Sequence, residues 1–287
     1  MMKLKLADLQ IEARISPQVT EMHIGLTEAA TSELGGGDLI QCIGKVRGPF
    51  NAFSQTLPAN YPLRASKSEG QCFAIIPDFC HWSAGLPFTY ELDLEVRRGS
   101  QVLASSKEVI AANWIRLYQG KLYQAAKRWV PRLAKLHSVD PISLPSLLPA
   151  LRLQELGLVV RAAEASETLL LECQSWGIPV AIELVADDEI DLARIESFAC
   201  VLMLLVNRQT KEPQKTKLLV ASPVEELPSI SAWRWNVRRG GAESALGNTG
   251  QIIIHVGVHE TPVEARQACD QLQAMSSELG DWAAYIS

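Results

Sequence analysis

The sequence has no C-x-x-C pair, no apolar stretch long enough to cross a bilayer and no excess of positive charge. Each absence removes a class of function. Six cysteines, at positions 42, 72, 80, 173, 200 and 269, are scattered along the chain. That spacing argues against a zinc cluster or a dithiol redox motif, and for buried thiols acting as small apolar side chains. Cys80-His81 is the one adjacent Cys/His pair, and no further ligands stand at a zinc-site spacing. No metal and no cofactor are expected. The run VLMLLV, 201–206, is far shorter than the ~18 residues of a membrane helix and reads as a buried strand. A secretory leader needs an apolar core of roughly 7–15 residues. The opening MMKLKLADLQIEARIS carries none, so a cytoplasmic location without membrane association is expected. A net charge of −5 gives no electrostatic grip on a polyanion, and nucleic acid is not expected as a partner.

What is present is ordinary globular material: 287 residues, 47% hydrophobic and 21% charged, enough for two cores and too long for a single sandwich. Residues 1–118 read as short strands separated by turns. In FTYELDLEV, Tyr90, Leu92, Leu94 and Val96 share one face while Glu91, Asp93 and Glu95 share the other, the period of two of a half-buried antiparallel strand. A β-sandwich is the default for such a series. After about residue 125 near-continuous apolar runs such as LVVRAA, IPVAIEL, VLMLLV and QIIIHVGV alternate with amphipathic segments of helical length. This is the signature of a parallel sheet covered by helices, either doubly wound or closed into a (β/α) barrel. Gly157 and Gly177 precede strands where a left-handed helix cap is expected. The boundary falls at 120, giving domains 1–120 and 121–287.

Two stretches resemble the β-galactosidase/β-glucuronidase family of glycoside hydrolases. HWSAGLPFTYELDLEV, 81–96, is similar to the family segment in which a Trp-Ser pair, a Pro and a Tyr introduce a strand of the immunoglobulin-like domain; the matching residues are Trp82, Ser83, Pro87 and Tyr90. LRLQELGLVVRAAEASETLLLECQSWGIPVAIEL, 151–184, resembles the family's run from the first barrel helix to the third strand, through Gly157, Arg161, Cys173, Gly177, Ile178 and Glu183. The resemblance implies a multidomain β and α/β chain, an N-terminal immunoglobulin-like β-sandwich followed by a compact (β/α) TIM-like barrel. The family's usual jelly-roll domain has no room here.

Retaining glycosidases need two carboxyl groups about 5–5.5 Å apart, one to donate a proton and one to attack. The resemblance implies that these come from the ends of barrel strands four and seven, the fourth ending in Asn-Glu. Here VLMLLVNRQ supplies Asn207 but places Arg208 where the acid belongs, and a guanidinium cannot protonate a leaving group. Glu260, after QIIIHVGV, is the nearest candidate nucleophile, with a simple loop position before the helix-capping Thr261 as the alternative. From Trp129 onward 159 residues remain, against roughly 250 for a typical (β/α)8 barrel.

Arg161 and Glu183 are candidate sugar contacts at the barrel mouth, or a structural ion pair. Trp233 and Trp235 share a strand face and could stack on a sugar ring, or serve as core. His255 reads as an interior histidine, and Arg234, Arg238 and Arg239 as a solvated edge. The leading expectation is a catalytically degenerate glycoside-hydrolase-like protein that binds carbohydrate or serves as a structural module. The alternatives are an active retaining β-glycosidase using carboxylates among Glu225, Glu226 and Glu260, and a scaffold for a protein partner without sugar affinity.

Overall fold

The computed structural model describes residues 2–15, 20–35, 40–66, 70–137, 139, 141–185, 191–207, 210, 216–239, 249–255 and 257–287. Arg208, on which the missing-acid expectation rests, lies outside the described residues. The chain divides into two compact units. One comprises Met1–Trp82, Leu86–Ala112 and Asp191–Ala199; the other comprises Ser83–Gly85, Asn113–Ile190 and Cys200–Ser287.

The first unit carries β1 (Met2–Lys3), β2 (Leu9–Ile15), β3 (Thr20–Leu26), α1 (Glu28–Glu33), β4 (Ile40–Phe50), β5 (Ala59–Pro62), β6 (Arg64–Ala65), β7 (Gln71–Ile76), β8 (Thr89–Arg98) and β9 (Gln101–Ile110). They form two sheets, ordered β1-β9-β8-β4-β5 and β2-β3-β7-β6. All pairings are antiparallel except β1 with β9. Tyr90, Leu92, Leu94 and Val96 of β8 are all buried, as their alternation requires. Cys42 of β4 and Cys72 of β7 come from different sheets and their thiols lie beside each other in the core, Cys72 Sγ donating to the Ile24 carbonyl at 3.6 Å. The Cys42 thiol and burial hold the Cys72 thiol well above its ordinary pKa. All six cysteines are free, five buried and Cys80 half-buried. This five-plus-four arrangement corrects the immunoglobulin-like expectation, which implies four strands against three. Alternation shows which residues face a core, but it does not show which strand lies beside which.

Trp82 is fully buried. Close by, Tyr90 Oη accepts a hydrogen bond from the Cys80 N–H at 2.8 Å, and Phe79 stacks on the Tyr90 ring. His81, between Cys80 and Trp82, has its pKa held below the ordinary imidazole value of 6.5; burial outweighs a hydrogen bond with the Ala112 backbone. Between the lowered value and 6.5 the unfolded chain binds more protons than the folded one, so stability rises with pH there. His81 therefore favours the folded state fully only above about pH 6.5, and that contribution falls away on acidification. The thermal midpoint should drop between about pH 7.5 and about pH 5.5, and the drop should shrink in His81→Gln. A drop of unchanged size would assign it to other groups.

The second unit begins with a small antiparallel sheet of β10 (Ile115–Tyr118), β11 (Lys121–Gln124) and β12 (Lys127–Arg128). Then follow β13 (Arg132–Lys135), α2 (Leu144–Leu153), β14 (Gly157–Arg161), α3 (Glu167–Trp176), β15 (Val180–Leu184), α4 (Leu192–Glu196, grouped with the first unit), β16 (Val201–Val206), β17 (Leu219–Leu227), β18 (Ala232–Arg239), β19 (Gly250–His255), α5 (Pro262–Ser276) and β20 (Ala284–Ile286). Strands β13 to β20 close into an eight-stranded barrel in sequence order. Parallel pairs link β13 through β17 and β19 through β20 back to β13, whereas β18 is antiparallel to both neighbours. Seven strands thus share one direction and β18 runs against them.

This corrects the helix-rich TIM-like expectation. Among the described residues, helices of ten or more residues follow only β13, β14 and β19. The link from β17 to β18 is a 3-10 turn, Pro228–Ile230. An antiparallel step needs only a tight turn, whereas a parallel step needs a crossover of a dozen or more residues. Reversing one strand is how eight strands fit in so short a chain.

Of the two expected caps, Gly177 is the left-handed one, closing α3 with φ 71°. After α2 the positive φ belongs to Glu155. Gly157 serves another purpose: a Cβ there would lie 2.2 Å from Leu133 Cδ2 and 2.4 Å from the Pro179 carbonyl oxygen. It lets β13, β14 and the start of β15 close up. No described helix is long and apolar enough to cross a membrane.

Candidate functional site

Along each barrel strand every second residue points to the interior. The interior core contains Leu133, Val159, Ala181, Met203, Leu205, Leu219, Ala221, Val237 and Ile252. Leu117 and Leu122 of the small sheet join the same cluster, with Trp129 packed against it. Two residues further toward the opposite pole, the same alternation gives Lys135, Arg161, Glu183, Asn207, Pro223, Trp235 and Ile254. This pole lies at the C-terminal ends of the seven co-directional strands, where barrel enzymes place their sites. On the reversed β18 it is reached at the start of the strand, so Trp235 and then Trp233 stand at the rim.

A cavity of about 450 Å3 opens here, lined by Lys135, Asn207, Pro223, Trp233, Trp235, Ile254, His255, Gly257 and Val258. One wall is the pair of indoles on β18. Trp235 packs against the barrel core, and its indole N–H is buried without a hydrogen-bond partner. The opposing polar element is an ion pair, Lys135 Nζ donating to Glu183 Oε1 at 2.7 Å, with side-chain exposures of 32% and 25%. Behind His255 lies His259, ring centroids 6.3 Å apart and planes nearly parallel. The His259 pKa is held below the ordinary imidazole value, first by burial and then by His255.

The structure brings Asn207, Trp235 and Glu183 to one mouth. Arg161 is the register partner of Glu183 across β14 and β15, yet its side chain is exposed and Glu183 pairs with Lys135 instead. Glu260 stands apart from the cavity lining. It is exposed, and its backbone N–H donates to Glu264 Oε2 at 3.1 Å. Thr261 and Glu264 complete a capping box at the start of α5. Glu225 pairs with Arg234 across β17 and β18. No carboxylate stands among the described cavity-lining residues, and Glu183, tied to Lys135, is the inward-facing acid of this layer. Sequence reasoning missed Lys135 and His259. Lys135 follows Leu133 by two, which placed it on the interior face once the strand was known. His259 is brought in by hydrogen bonds from its N–H to the Lys135 carbonyl (3.0 Å) and from the His137 N–H to its own carbonyl (3.1 Å), pairings that no local pattern announces.

No protein-family model matches the chain, and no curated protein matches it in sequence. Solved structures match in fold. A glycosyl hydrolase family 2 member from Bacteroides cellulosilyticus aligns with a TM-score of 0.52 at 12% identity, over 78% of this chain and 36% of that one. A β-D-glucuronidase from Dictyoglomus thermophilum aligns at 0.51 and 12%, over 71% and 38%. A β-glycosidase from Bacteroides vulgatus aligns at 0.50 and 12%, over 74% and 30%. The chain spans about a third of the length of these structures. At such identities the likeness is one of fold: this chain has a glycosyl hydrolase family 2-like fold over most of its own length.

Proposed function

We propose that the barrel mouth binds a sugar ring and does not cleave glycosidic bonds. The observation that carries this reading is the lining of the cavity: two indoles on one strand face, an amide and a lysine, and, among the described residues, no carboxylate. Indole faces suit the apolar C–H face of a pyranose, and the amide of Asn207 and the ammonium of Lys135 suit its hydroxyls. Bond cleavage in such a scaffold takes two carboxyl groups flanking the glycosidic oxygen, and among the described residues Glu183, tied to Lys135, has no second inward-facing acid beside it. The fold likeness to a glycosyl hydrolase, a β-glucuronidase and a β-glycosidase supports carbohydrate as the ligand class. The Arg208 reading of the sequence supports loss of the acid.

Isothermal titration of the chain against β-linked mono- and oligosaccharides tests the binding claim. At least one sugar should bind with a Kd on the order of 1 mM or tighter, about −4 kcal/mol or better. The same preparation should release no chromophore from aryl β-glycosides. A flat calorimetric response across the panel would leave the scaffold reading, and chromophore release would restore the enzyme reading.

A further inference from the structure

Residues 255–259 present two histidines around a glycine: His255 at the end of β19, Gly257, and His259 hydrogen-bonded onto the end of β13. The two rings are stacked at 6.3 Å. One nitrogen of each ring, His255 Nδ1 and His259 Nε2, is buried without a hydrogen-bond partner. Buried imidazole nitrogens are ordinarily satisfied, so two orphans side by side require a reason. Both face the same spot. A Cβ built on Gly257 would lie 2.5 Å from His255 Nδ1 and 3.5 Å from His259 Nε2. Because residue 257 is glycine, it places no side chain of its own beside the two nitrogens.

We propose that His255 and His259 are the protein ligands of a first-row divalent transition metal, zinc foremost, held over Gly257 at the rim of the barrel cavity. Neutral imidazole is the commonest nitrogen ligand for zinc and also suits copper and nickel. Zinc–nitrogen bonds are about 2.0–2.1 Å, so the ion has to sit within that distance of both nitrogens. No group of three or more His, Cys, Asp or Glu stands together among the described residues. The ion therefore takes two protein ligands and keeps its remaining positions for water. His255 and Gly257 line the cavity, which leaves those positions accessible from it. Two-ligand coordination makes this an exchangeable site rather than a structural one, and it stands whether or not a sugar binds.

The test uses the full untagged chain, stripped with a chelator and titrated without sugar: Zn(II) by calorimetry, Cu(II) by electron paramagnetic resonance. One equivalent of each ion should bind, and the Cu(II) spectrum should show coupling to two nitrogens. His255→Gln and His259→Gln should each weaken binding at least ten-fold. Gly257→Ala should do the same with both ligands intact, because the new Cβ fills the space between them. His137→Gln, at an exposed neighbouring position, should bind as the parent does. Absence of binding in the parent, or stoichiometric binding unchanged in both histidine variants, would overturn the proposal. Thermal melts of each variant separate loss of the site from loss of the fold.

Discussion

Trp235→Ala is expected to weaken sugar binding at the barrel mouth about thirty-fold, close to 2 kcal/mol. The indole offers a flat face to a ring at the cavity wall, and its N–H has no protein acceptor. Truncation removes both at once. Trp235→Phe keeps a ring and removes the N–H, so its loss should be smaller. Because Trp235 also packs on the barrel core, the alanine variant should melt at a lower temperature, and titration must be run well below that point. Trp233→Ala, nearer the rim, should cost less on both counts. Calorimetry with whichever sugar binds the parent decides the matter. Parent-like affinity in Trp235→Ala would move the sugar to another place on the protein.

Gly157→Ala is expected to be the most damaging single-carbon change in the barrel. The added carbon would meet Leu133 Cδ2 at 2.2 Å, the Pro179 carbonyl oxygen at 2.4 Å and Pro179 Cγ at 2.9 Å. The leucine can move; the carbonyl cannot move cheaply, because it accepts the Leu158 N–H at 2.8 Å. Relief therefore means parting β14 from its neighbours at the point where Gly157 pairs with Leu133. Overpacking of this kind costs about 3 kcal/mol, which for a domain of this size is roughly 6–12 °C in melting temperature. Gly85→Ala serves as control, since nothing lies within 4 Å of a carbon added there. Equal melting temperatures for the two variants would show that the strands yield more easily than their packing implies.

Several barrel strands were legible in the sequence alone, though the helix-rich barrel expected from them was not what they form. The apolar runs at 158–160, 180–182, 201–206 and 252–254 are all strands, because a strand buried on both sides tolerates little else. Alternation from those runs leads to Glu183 and Asn207, and the alternation within AWRWNVRR puts Trp235 on the face of Trp233. Strand direction was not legible. AWRWNVRR has the same two-residue period whether it runs up or down, so the reversal of β18 left no mark on the pattern. The ion pair of Glu183 was also hidden: its partner Lys135 is 48 residues away and arrives through closure of the barrel. Cys80 and His81 are the adjacent Cys/His pair in sequence, which gives them the local look of metal ligands that His255 and His259 lack. The imidazoles of His255 and His259 become informative only when two bare nitrogens are seen across one glycine.

The single reversed strand also separates what can vary from what must stay fixed. In a barrel of uniform direction each mouth residue hangs at the start of a connecting loop, and any change in that loop disturbs it. Here the two indoles belong to a ribbon bonded on both flanks, to β17 on one side and β19 on the other. The connection leaving that ribbon departs from Arg239 and returns at Gly250, both at the far pole. Strand ends that turn into that connection therefore lie two to four residues of strand away from the indole wall, so a substitution at Arg239 or Gly250 acts on the pole opposite the proposed ligand.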